Sequence, residues 1–302
     1  MHMMPFSLAI QRTAARTHFK KQVGHTTQYL LTIVVGLDAV RSGAEASPTL
    51  PARWNPQSKT DAADRARTFA NQAGLVWTIE ALNAYVMDLR KSKPPILPAE
   101  VSSDISSERD KEKKLLLLSG SLGIISRELD MVRAGMVWRN RLVHANAHNS
   151  LDRVVKAQLK NRSDDIKADY QGLDIEQAIS RVETNAAPRL KETTAIMRAA
   201  NELVRDLDAA AVDSIDNEKH LENLLRARIL EAPNDDERMR IAVSLWGGTE
   251  QGNARSITNA ASQWGMTRTT ETNFESDLAS KTPKAALKAF LTNEPERIKG
   301  LS

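Results

Sequence analysis

Leu75, Ile79, Leu82, Val86 and Leu89 recur at alternating steps of four and three. Only a helix turns such a spacing into one continuous apolar stripe, so residues 61–91 must form a long helix with a buried face. The rest of the chain points the same way. Aromatics make up only 4% of the 302 residues and glycines number 13, which disfavours a β-rich fold. Alanine, leucine, arginine, glutamate and lysine, the residues that helices prefer, are plentiful. The expected fold class is all-α.

The pattern divides the chain into successive helices. A first helix is predicted from about Ser7 to Val40, with Tyr29 to Val35 apolar enough to be central to the core. Residues 42–59 read as a loop carrying Gly43, Pro48, Pro51 and Pro56. After the striped helix, Pro94-Pro95 interrupts the pattern. A third helix is predicted to start at Ser107, with Asp110 three residues on as a capping box, and to break at Gly120 and Gly123. A fourth covers Leu129 to Ala145. Residues 151–170 are highly charged and read as a helical excursion with a solvated face. Asp174 caps a long helix that Pro188 kinks or splits. This gives one helical domain over residues 1–212 and a C-terminal helical region over 213–302. In the latter, Ile257 to Phe274 reads either as a helix-turn-helix or as a small packing element. In the first reading Gly265 sits in the turn, and Thr267 caps a second helix carrying Arg268.

Charge is placed unevenly. Residues 1–37 hold Arg12, Arg16, Lys20 and Lys21 and no acid, and so account for the whole formal net charge of +4. Such a segment suits RNA phosphates, an organellar targeting peptide or a solvated helix face. There are no cysteines, which removes disulfides and cysteine-based zinc sites and suits a cytoplasmic protein. The longest aliphatic run, Leu30 to Leu37, is too short to span a bilayer. Gly-rich phosphate loops and a Gly-x-Ser-x-Gly elbow are missing from the sequence, and without cysteines no His-x-Glu…Cys-x-x-Cys zinc motif can be completed. Nucleoside triphosphate hydrolysis, zinc catalysis and serine-esterase chemistry are therefore poor readings.

The residues that suggest chemistry lie together in Arg139-Asn140-Arg141-Leu142-Val143-His144. On a continuous helix Asn140 and His144 lie about 40° apart on one face, and His148 extends that face by a turn. Arg139 and His144 would project about 140° apart, so two antiparallel copies across a two-fold axis suit a shared site better than one copy does. An arginine can hold a phosphate through parallel hydrogen bonds and offset charge in a transition state. A histidine can move a proton near neutral pH. Asn140 can fix the imidazole or brace the helix. RNA brings its own nucleophile, the 2′-hydroxyl, so the route needs no metal and ends in a 2′,3′-cyclic phosphate and a 5′-hydroxyl.

The stretch LDMVRAGMVWRNRLVHA resembles the motif helix of the HEPN superfamily, in which arginine is followed at once by asparagine and, four residues later, by histidine. The resemblance covers roughly residues 10–212 and rests mainly on that helix. It implies a HEPN-like helical bundle with additional C-terminal helices. It also implies a metal-independent endoribonuclease of the toxin or phage-defence type, without a cofactor, acting on RNA as a homodimer. An antitoxin or other regulatory partner is expected to restrain it. The catalytic residues implied are Arg139, Asn140 and His144, with Arg141 and His148 as supporting candidates. IEALNAYVMDL, residues 79–89, resembles the helix that pairs with the motif helix in abortive-infection and RiboL-PSP-type relatives. Those relatives often carry an acid there; Asn83 and Asp88 occupy the candidate positions, and Asp88 would orient a motif arginine or histidine. Asn146 stands where one toxin subgroup has a tyrosine that a partner modifies. The competing expectation is a non-catalytic helical module that binds nucleic acid or protein. An exposed Arg139/His144 cleft favours the enzyme; a buried His144 or an exposed recognition helix favours the module.

Overall fold

The striped helix is present, and every stripe residue is buried: Leu75, Ile79, Leu82, Val86 and Leu89. In the computed structural model, which describes residues 7–47, 49–144, 149–269 and 278–291, the chain is all-α apart from one two-stranded sheet. It forms two units, one of residues 15–90 and 98–208, the other of residues 1–14, 91–97 and 209–302. None of the helices among the described residues is long and apolar enough to cross a membrane.

The first unit holds α1 (Ala14–Arg41), α2 (Lys59–Arg90), α3 (Ala99–Ser107), α4 (Lys111–Ser121), α5 (Arg127–Val143), α6 (Arg153–Asn161), α7 (Ser163–Asp169), α8 (Ile175–Glu183) and most of α9 (Leu190–Asp213). α1 and α2 run antiparallel, with Phe19 edge-on to Tyr85 at one end and Arg41 paired to Asp64 at 3.1 Å at the other. α5 is the central helix: every residue from Glu128 to Trp138 except Arg133 is buried. Its start is defined by Ser126, whose hydroxyl accepts from Leu129 N at 3.2 Å, and by Glu128 and Asp130 in the first turn. Gly135 lets α9 come close: a Cβ there would stand 2.9 Å from Ile196 Cγ2. The Trp138 indole donates to Ala186 O at 2.8 Å, which ties α5 to the turn before α9.

Several boundaries differ from the sequence expectation. Ser107 ends α3, and Asp110 is the N-cap of a separate helix, accepting from Lys113 N at 3.0 Å. The helix capped by Asp174 stops at Glu183, and α9 begins after Pro188, as that proline predicts. Within Tyr29 to Val35 only Leu30 and Val34 enter the core, where they meet Ala70 and Met197. Tyr29, Leu31, Ile33 and Val35 are exposed, because one side of α1 alone faces α2 and α9.

The second unit holds β1 (Ser7–Ile10), α10 (Asn217–Leu230), α11 (Asp235–Trp246), α12 (Glu250–Gln263), β2 (Met266–Thr269) and α13 (Pro283–Leu291). Residues 7–10 are thus a strand rather than a helix start, and they pair antiparallel with β2, Leu8 opposite Arg268 and Ile10 opposite Met266. Leu8 and Ile10 are buried and join Leu225, Ile229, Trp246 and Phe290 in one core, which is the two-residue alternation of a strand. The pairing also draws residues 7–10 into the unit formed by the C-terminal region, so the boundary expected at 212 does not separate two consecutive segments. In the helix-turn-helix reading Thr267 caps a second helix carrying Arg268; instead residues 266–269 are strand, with Gly265 turning the chain at φ +83° and Met266 inserted into the core. Residues 270–274 of that stretch lie outside the described residues.

Candidate site at the end of the central helix

α5 ends one residue before the motif does. His144 is its C-cap, with φ −117° and ψ 106°, although its N–H still donates to Asn140 O at 2.9 Å. The expectation of a continuous helix through Ala145 is therefore corrected, and the geometric consequence is large. Leaving the helix lets the imidazole turn back along it, and Arg139 Nη1 lies 3.5 Å from His144 Nε2 in the same chain. A continuous helix would have held the two side chains about 140° apart. A guanidinium only donates, so Nε2 facing it carries the lone pair. Arg139 Nη1 also donates to Asn140 Oδ1 at 3.1 Å. The three residues named from the sequence thus meet at one point.

The carboxylate that completes the cluster is Glu80 on α2. Arg139 Nη2 donates to Glu80 Oε1 at 2.5 Å, and Lys111 Nζ, at the start of α4, donates to both Glu80 oxygens at 2.6 Å. Burial raises the Glu80 pKa, but the Lys111 hydrogen bond and the Arg139 and Lys111 charges outweigh it and hold it below its ordinary 4.5. Segment 79–89 does lie against α5, as expected, but its acid acts one residue into the segment and not at Asn83 or Asp88. Asp88 lies about 12 Å further along α2 and binds His18 Nδ1 at 2.7 Å. The stripe itself gave no signal for Glu80, which projects about 140° from the stripe's centre.

Arg139, Asn140, His144 and Lys111 line a recess of about 420 Å³ whose other walls include Arg109, Asp110, Glu112, Met136 and Asn149. Arg139 forms its inner part, its side chain only 12% exposed, whereas His144 is exposed at the mouth. The acids of the recess are engaged: Asp110 caps α4, and Glu112 accepts from Arg133 Nε at 2.7 Å. Among the described residues Arg139 Nη2 is paired with the Glu80 carboxylate, while Nη1 meets the Asn140 amide oxygen and the His144 ring. Arg141 is turned elsewhere. Its guanidinium donates to Asn149 O at 2.7 Å, Val182 O at 2.5 Å and Glu183 O at 2.9 Å, which fastens the chain after the motif to the end of α8. His148 and Asn146 lie outside the described residues. Among the described residues, no group of three or more histidine and acidic side chains is placed to hold a metal ion.

Comparison with protein-family models, with curated proteins and with solved structures finds no match.

Proposed function

We propose that this protein is a metal-independent endoribonuclease of HEPN type that works as a homodimer. The observation that carries the reading is the meeting of Arg139 Nη1 and His144 Nε2 at 3.5 Å, at the mouth of a recess that reaches solvent. A phosphodiester oxygen entering there takes the Nη1 donor and releases the imidazole lone pair. The 2′-hydroxyl oxygen then attacks phosphorus while its proton passes to His144 Nε2. The P–O5′ bond breaks, and the leaving oxygen takes a proton from a protonated imidazole or from water. The products are a 2′,3′-cyclic phosphate and a 5′-hydroxyl. Asn140 keeps Arg139 aimed, and Glu80 holds the far edge of the guanidinium. A second copy enlarges the cleft, and a partner protein restrains an activity that would damage the cell.

One observation favours the non-catalytic module instead. The Arg139–Glu80 ion pair would also serve simply to join α5 to α2. Cleavage of total RNA by purified protein in EDTA separates the readings. His144→Ala is expected to lower the rate by about 10²–10⁴-fold, the usual contribution of a general acid or base, and Arg139→Ala by about 10²–10³-fold, the usual cost of losing one transition-state donor. Wild-type protein that leaves RNA intact, or variants as active as wild type, would reject the enzyme.

A further inference from the structure

We infer that the outer face of the α1–α2 hairpin is the surface on which a second copy of this chain docks. Its functional meaning rests on the dimeric reading above, but the face is argued from the hairpin alone. A groove of about 760 Å³ runs between the two helices. Its walls are large apolar side chains left in solvent: Phe69 72% exposed, Trp77 65%, Tyr29 62% and Ile33 47%. Its floor on α2 is made of small residues, Ala66, Ala70, Ala73, Gly74, Ala81 and Ala84. Charge is sparse: Glu80 is the one carboxylate in the lining, and it is held by Arg139 and Lys111. Aromatic residues around a charge-poor centre are the composition of an interface core.

Two properties select a second copy as the occupant. The first is self-complementarity, which a two-fold interface requires. If α2 crosses its symmetry mate antiparallel, with the axis midway between Ala73 and Trp77, Trp77 lies over the partner's Ala73. Phe69 then lies over the partner's Ala81, and Ala66 faces the partner's Ala84. Every large residue on this helix meets a small one, so the same face supplies both knob and hole. The second property is area. An aromatic side chain carries roughly 150–250 Å². At their observed exposure the three rings offer roughly 300–500 Å², about half of the roughly 800 Å² that each partner buries in a standard interface. Ile33 and the alanine floor add to that. The result is a four-helix layer of two hairpins, with Glu80 of each copy linking the docking face to its own Arg139.

Sedimentation velocity of the full chain at tens of micromolar tests the inference. Wild type is expected to sediment as a dimer of twice 33.4 kDa. Trp77→Glu puts a charge on the knob and Ala73→Arg fills the hole. Each is expected to weaken association by about a hundredfold, the scale of losing a central anchor. Phe69→Glu serves as a further knob variant if either of these fails to fold by circular dichroism. A wild-type monomer overturns the inference and leaves the groove to a partner of another sequence. A dimer that ignores the substitutions overturns it too, placing the interface elsewhere. Because Arg139 and His144 meet within one chain, RNA cleavage by a monomer would sink this interface and leave the enzyme standing, whereas a dimer without cleavage would do the reverse.

Discussion

Glu80→Gln is the sharpest perturbation of the cluster, because it keeps shape and removes only charge. It deletes two ion pairs, to Arg139 and to Lys111, and opens no cavity. Their size follows from exposure. The Glu80 side chain is 34% exposed, Lys111 28% and Arg139 12%. A fully exposed pair contributes about 0.2–1 kcal/mol, and stranding a fully buried charge costs about 3–5 kcal/mol. With Glu80 a third open to water, the pairs belong near the lower figure, and together they contribute about 1–2 kcal/mol. For a domain of this size that is a fall in midpoint of about 2–8 °C. The pH dependence gives the reasoning a second handle. The Glu80 pKa is held below 4.5 in the folded protein, so its contribution is complete above that value and is lost as pH falls through the folded pKa. Urea unfolding followed by circular dichroism should therefore show the full gap between wild type and variant at pH 7, a smaller gap near pH 4, and none at lower pH. Equal stability at pH 7, or a gap that stays constant down to pH 3, would show that the carboxylate is not held by these two cations.

Two further outcomes concern the second unit. His220 is buried in α10, and burial lowers its pKa below 6.5, so the unfolded chain takes up a proton first and stability falls as pH drops below that value. His220→Gln should flatten this slope, whose ceiling is about 1.4 kcal/mol per pH unit; an unchanged slope between pH 7.5 and 5 would refute it. Gly265→Ala forces a side chain into φ +83° and should cost about 1–2 kcal/mol in urea unfolding, so a variant as stable as wild type would mean that the turn before β2 relaxes freely.

Periodicity was enough to read α2, because its stripe is local in sequence and one helix face must go inward. Composition made the chain helical, the Asp174 cap and Pro188 located α8 and α9, and the Arg139-Asn140-His144 spacing marked the residues that share the recess. What the sequence left undecided depends on partners far along the chain. Residues 7–10 are strand because β2 lies beside them, a pairing no local pattern carries. Glu80 rather than Asp88 meets Arg139 because the crossing of α2 and α5 sets which turn of α2 comes within reach. Tyr29 stays in water because α1 turns only its Leu30–Val34 side toward its neighbours. The end of α5 at Val143, which turns a diverging pair into a meeting one, is secured by Arg141 gripping carbonyls of residues 149, 182 and 183. Sequence pattern specifies which side chains seek burial or carry charge. Only packing decides which of them meet, since helices can cross at several angles without changing their own stripe.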